Sequence, residues 1–229
     1  MEYRCIATTV TGFIQQLSCA YLLHGYWFYV SGQIPAHKDE RGVDAKLIAK
    51  YGIDISRQSR ARRKQAGLAN LHYLRFDRTF VLLATHGQHR FFDEEEGNIR
   101  DVRRVPIKFS GYSVSVQRGG YQRKVSPESP LKRDDKLRVR VQIGREKYLD
   151  LKAYFLDIAC KRSVEQLGSE LYNLPYEPYA PIRQQLLNIL RLLNKKRKAS
   201  GKDLVSPKVL RYRRRIVRPF WTLKEDEAA

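Results

Sequence analysis

The chain is poor in cysteine. Cys5, Cys19 and Cys160 are its only three in 229 residues, and none belongs to a C-x-x-C pair. That excludes a zinc ribbon and a disulfide framework, and it suits a reducing cytoplasmic setting. Long apolar runs are missing too. The apolar stretches near the N-terminus are broken by Gln15, Gln16 and His24, with no basic run ahead of them. Neither a signal peptide nor a membrane span is expected. No segment repeats. Acidic residues are short in number: 24 Asp and Glu stand against 44 Lys and Arg, a formal net charge of +20. Solubility requires far less charge, and a field of that sign draws polyanions. The hydrophobic fraction of 42% with 30% charged residues is that of a globular chain able to bury a core.

The charge comes in blocks. Lys and Arg exceed Asp and Glu by 7 over Arg57–Arg90, by 8 over Asp101–Lys152 and by 12 over Pro181–Arg218, whereas Met1–Ser56 is balanced. Blocks of this kind read as a surface that follows phosphates. Four segments carry them. The first holds Arg57, Arg60, Arg62, Arg63 and Lys64; the second holds Arg118, Tyr121, Arg123 and Lys124 around Gly119 and Gly120. The third holds Lys195, Lys196, Arg197 and Lys198, and the last Arg211, Arg213, Arg214, Arg215 and Arg218. Arg dominates three of them, which favours bidentate phosphate contacts. Arg138 and Arg140 add to these from one face of an alternating strand. Tyr121, Tyr212, Phe220 and Trp221 lie beside the basic segments. Interleaved aromatics suit unpaired bases, at about 1–3 kcal/mol per stacked base.

Periodicity predicts an α+β fold. It consists of a mixed sheet with ferredoxin-like (βαβ) character over residues 1–174, then a basic helical C-terminal unit over 175–229 with a short acidic tail. Tyr3–Val10 reads as a first strand, Phe13–His24 as a helix capped by Thr11, and Tyr26–Val30 as a second strand. A crossover of that length makes the two strands parallel. Asp39–Tyr51 and Ser56–Ala66 read as helices. The second has few apolar residues, so it is held by an anionic partner or by neighbours. Thr79–Thr85 is the best buried-strand signal, with a hairpin or bulge near Asp77. Tyr112–Gln117 and Leu137–Ile143 alternate as strands, and Leu149–Leu171 is helical with a break near Lys161–Ser163. Pro175, Pro178 and Pro181 interrupt the chain. Beyond them Ile182, Leu186, Ile189, Leu190 and Leu193 form one helical stripe.

Candidate chemistry starts at His86-Gly87-Gln88-His89, at the end of the Thr79–Thr85 strand. A glycine turn there can bring His86 and His89 to one metal ion, with Asp93, Glu94 or Glu95 adding an oxygen. Such a donor set suits Mg or Mn in nuclease chemistry. Tyr148-Leu149-Asp150-Leu151-Lys152 is a Y-x-x-x-K. Together these features are loosely similar to HUH endonucleases, which include the REP-associated tyrosine transposases and rolling-circle replication initiators. The resemblance covers about seven residues and an element order. The histidines here are separated by Gly87 and Gln88, where the family has one hydrophobic residue. The resemblance implies Tyr148 as the nucleophile and His86 and His89 as metal ligands. Gly119-Gly120-Tyr121, with Arg123 and Lys124, is also similar to the glycine-rich loop of CRISPR RNA-processing ribonucleases, which work without metal.

The expectation is a nucleic-acid-binding protein that contacts RNA or single-stranded or structured DNA through its Arg-rich segments. It would be a subunit of a ribonucleoprotein or mobile-element complex, together with other protein subunits and without a membrane. Binding of this kind requires no cofactor. The rival expectations are a metal-dependent nuclease or strand transferase and a structural protein of a large RNA assembly.

Overall fold

Residues 3–119, 122, 123, 132, 133 and 135–220 are described by a computed structural model. The fold is α+β. Its contacts divide the chain into two compact units, which do not follow the proline-rich break at 175–181. The first comprises the described residues of Met1–Pro106, Ser115–Val139 and Val217–Ala229; the second is Ile107–Val114 with Arg140–Ile216. The helices on both sides of that break therefore belong to one unit.

In the first unit the chain enters as an extended segment and then turns helical. Helix α1 (Val10–Gln15) is capped by Thr9, whose hydroxyl accepts from Gly12 N at 2.9 Å. It continues through a π-helical stretch over Gln16–Tyr21 and a single 3-10 turn to His24. The cap comes two residues before the expected Thr11, because the bond from Gly12 N satisfies an otherwise orphaned helix-start donor. Strand β1 (Phe28–Gln33) follows, then α2 (Glu40–Lys50), capped by Asp39, and α3 (Arg57–Gln65), capped by Ser56. Strands β2 (Leu71–Phe76) and β3 (Thr79–Ala84) form a tight hairpin. Asp77 sits at its turn with a φ of 48°, a left-handed conformation that Asp tolerates better than most residues. Helix α4 (Arg90–Glu94) and β4 (Arg100–Asp101) complete the set.

The four strands stand in the order β2-β3-β1-β4, and their ladders are antiparallel. The expected first strand is reduced to a short parallel contact on the β2 edge. Arg75 N donates to Cys5 O and Ala7 N donates to Arg75 O, around a single Ile6–Arg75 bridge. Since β1 and β2 both run against β3, the 3–7 segment and β1 point the same way, as the crossover rule requires. They are not neighbours, because the β2–β3 hairpin lies between them. Phe13, Ile14 and Leu17 are buried, as are Tyr51, Ile53, Leu71, Tyr73, Leu82 and Phe91.

The chain continues through β5 (Ile107–Phe109), β6 (Tyr112–Arg118), β7 (Gln122–Arg123), β8 (Lys132–Arg133) and β9 (Leu137–Ile143). Strands β5, β6 and β9 form one sheet in that order, and β7 pairs with β8. In the second unit α5 (Arg145–Ile158) and α6 (Val164–Tyr172) are separated by a short break. Ser163 starts α6 with a capping box to Gln166. Helix α7 (Ala180–Ala199) then packs against α5. The stripe Ile182, Leu186, Ile189, Leu190 and Leu193 is buried throughout. Each such side chain contributes roughly 1.5–3 kcal/mol. After α7 the described residues hold no helix apart from one 3-10 turn over Pro207–Val209, so within the C-terminal unit expected to be helical the basic segment 211–218 is a non-helical strap. Consecutive arginines on it have no apolar face to bury, and a helix without one gains little from packing.

Candidate nucleic-acid interface

The Arg-rich helix α3 buries none of its residues and is fastened by its own cations. The Arg60 guanidinium donates to Ile53 O at 2.5 Å and to Leu71 O at 2.6 Å. Arg63 donates through Nε and Nη2 to Ala69 O, and Asn70 returns a bond to Arg60 O. Both arginines therefore tie α3 to backbone carbonyls before and after it in the chain. Both side chains, expected among the phosphate contacts, are half-buried in these bonds. Arg57, Arg62 and Lys64 remain exposed.

Gly87 fixes the His86–His89 turn. Its φ is +136°, and a Cβ there would lie 2.6 Å from Ala69 N, so only glycine lets this turn pack against residues 67–69. The turn is tied down by Ala69 N to Gln88 O and by Gln88 N to Gly67 O. His89 caps α4: its Nδ1 accepts from Phe91 N at 3.1 Å, which requires that nitrogen to be unprotonated. Burial, and then the Arg63 charge, hold its pKa below the ordinary histidine value. His86 is exposed beside the Phe28 ring. A cleft of about 530 Å³ opens next to this turn, lined by His89, Arg90 and Asp93 among others. Among the described residues no three His, Cys, Asp or Glu side chains come together as a metal-ligand set. Tyr148 lies half-buried in the first turn of α5, in the second unit, whereas both histidines belong to the first.

Sequence reasoning passed over an aromatic stack in the first unit. The His72 ring stacks on Tyr21 at 4.3 Å and on Tyr3 at 6.0 Å, with Tyr26 tilted at 4.7 Å. Its Nδ1 is 2.9 Å from the Tyr3 hydroxyl. Burial, helped by the Arg60 charge, pushes its pKa down to about 3, so the ring is neutral at physiological pH. On the opposite face of β2, Asp44 and Arg75 form a buried pair. Arg75 Nε and Nη2 contact both Asp44 oxygens, Tyr73 donates to Asp44, and Glu40 takes Arg75 Nη1. The one hint in the sequence was the abundance of tyrosine, 14 in all.

In the second unit the strap is built on one buried acid. Glu177 is 6% exposed, and its backbone N–H donates to the Tyr112 hydroxyl at 2.9 Å. One carboxylate oxygen lies 3.7 Å from Arg211 Nη1, and the other accepts from Arg215 N at 2.9 Å. Arg211 also donates to Leu174 O and Tyr176 O, both at 2.6 Å. Arg211, expected among the phosphate contacts, anchors the strap through these bonds. Between the two anchor points Tyr212, Arg213 and Arg214 are exposed, and the Arg215 side chain is exposed as well. Tyr212 is 71% exposed and carries the Arg183 guanidinium over its ring at 4.0 Å. Arg214 lies over Tyr179 at 4.6 Å. Two tyrosine–arginine stacks thus join the strap to the first turn of α7.

No protein-family model, curated protein or solved structure matches the chain.

The end of α7 is mixed. Lys195 and Lys198 are exposed on the stripe that also carries Arg191. Lys196 is exposed and bonds Leu156 O. Arg197 is only 3% exposed and donates to Asp203 O, Ala159 O and Arg162 O. It holds the α5–α6 break against α7, which corrects its expected role. Arg138 is half-buried and Arg140 exposed on β9, with Val141 and Ile143 on the buried face. Arg118 faces Asp135 at 3.8 Å on an open surface. Tyr121, Lys124 and Trp221 lie outside the described residues, and only the backbone of Arg123 is described. Arg218 is exposed in a segment of the first unit held to α1, where the Gln15 amide bonds both Val217 O and Val217 N. Among the described residues no helix is long and apolar enough to cross a membrane.

Proposed function

We propose that this protein binds nucleic acid through its C-terminal strap, with Arg213, Arg214 and Arg215 contacting phosphates. One observation carries the reading: these arginines are exposed while Glu177 and Arg211 hold the strap at both ends. Chain entropy that binding would otherwise cost is already lost in the free protein. The exposed Lys195 and Lys198 extend the positive surface of the same unit. A subunit of a ribonucleoprotein or mobile-element complex fits such a surface, and three free cysteines fit a reducing cytosol. The test is fluorescence anisotropy with RNA and DNA oligonucleotides at rising salt. About three to five phosphate contacts give a slope of log affinity against log salt of about −2 to −4. A slope near zero refutes the proposal.

A further inference from the structure

Tyr212 is more than a neighbour of the cations. An exposed tyrosine on an extended segment usually samples several rotamers, but here one ring face is covered by Arg183 at 4.0 Å while the residue stays 71% exposed. The ring is oriented and backed by a cation, and its other face is open to solvent. Its flanks are Arg211, half-buried and held by its anchoring bonds, and the exposed Arg213. This is a flat aromatic platform with a phosphate-binding group beside it.

We propose that Tyr212 stacks an unpaired base, so that the strap selects single-stranded over duplex nucleic acid. The inference rests on the nucleic-acid reading above and specifies its substrate class. In a duplex both faces of each internal base are covered by its neighbours, and the platform meets only the terminal pairs; the arginines still meet phosphates on either form. In a single strand a base can leave its neighbours and complete a base–tyrosine–guanidinium stack, gaining stacking and a cation–π contribution. Arg214 of the strap and Tyr179, just before α7, form a second stack of the same composition.

The experiment compares a short single strand with a blunt duplex of equal length, at one salt concentration, on the full chain. The single strand should bind about tenfold more tightly, and Tyr212→Ala should remove about that factor while leaving duplex affinity within about twofold. Tyr212→Phe should retain the preference, and Arg183→Met should lose part of it. Tyr172→Ala is the control, because Tyr172 is also exposed, at 54%, and lies outside the strap. Equal affinity for both forms with a silent Tyr212→Ala overturns this inference and leaves nucleic-acid binding standing. Equal losses on both forms do the same. Absence of binding to either form overturns both readings at once. Unchanged thermal melting of the variants separates these outcomes from misfolding.

Discussion

Two arginine-rich segments, α3 and the strap, have nearly the same composition and opposite uses of it. Five of the eight residues in Arg57–Lys64 are basic, and so are four of the five in Arg211–Arg215. In α3 two guanidiniums turn back onto Ile53, Leu71 and Ala69 carbonyls and act as fasteners. In the strap one guanidinium does this, and the three arginines Arg213, Arg214 and Arg215 are exposed, Arg214 lying over the Tyr179 ring. The difference lies in what each segment lacks. Helix α3 buries no side chain of its own, so its arginines supply the attachment that an apolar face would have given. The strap has a buried acid, Glu177, to hold it, and its remaining cations are exposed. A run of arginines therefore keeps its cations exposed only where something else fastens the segment.

The largest effect is expected for a third fastening arginine outside both segments, in the variant Arg197→Ala of α7. It leaves the Asp203, Ala159 and Arg162 carbonyls without their donor in a buried site. The expected cost is about 3 kcal/mol, a fall of about 6–12 °C in melting temperature for a chain of this size. Nucleic-acid affinity of the folded protein should not change, and a variant that melts like wild type but binds weakly would falsify the fastener role. The reverse pattern is expected for Arg213→Ala, Arg214→Ala and Arg215→Ala combined. Stability should hold, affinity should fall about thirtyfold, and the salt slope should become shallower by about 2. If the slope is unchanged, the phosphate contacts lie elsewhere.

The elements were legible where the signal is local. The α7 stripe, the Thr79–Ala84 strand and the Leu137–Ile143 alternation follow from side-chain period alone. Ser56 as the α3 cap was legible for the same reason. The jobs of individual arginines were not, because their acceptors are distant in sequence: Arg197 meets Ala159 and Arg211 meets Leu174. Which carbonyls a fold leaves open is a tertiary fact. Glu177 was lost inside a proline-rich run that reads only as a break. The parallel direction of the 3–7 segment and β1 was legible, but the hairpin inserted between them was not.

Within α3 itself the contrast can be tested side by side. Arg60→Ala removes two carbonyl bonds and should cost about 1.5 kcal/mol. Arg57→Ala removes an exposed side chain and should change stability by less than about 0.5 kcal/mol. Urea unfolding of both variants gives the comparison, and equal effects would mean that Arg60 is no more a fastener than its neighbour.

Arg60 has a second consequence through His72. Burial first and the Arg60 charge second hold this histidine near a pKa of about 3 in the folded state, against about 6.5 when unfolded. A depressed folded pKa contributes stability that is fully present above pH ~6.5 and is lost as pH falls toward ~3, because the unfolded chain takes up the proton first. Comparing wild type with His72→Gln between about pH 7 and 5 should therefore show the wild type losing about 1 kcal/mol more, after discounting for partial solvent screening. In Arg60→Ala the His72 pKa, followed by NMR of the ring protons, should move upward as one of its two causes is removed. A His72 pKa that stays in place shows that burial alone sets it, and that the Arg60 guanidinium acts on its two carbonyls and on nothing else.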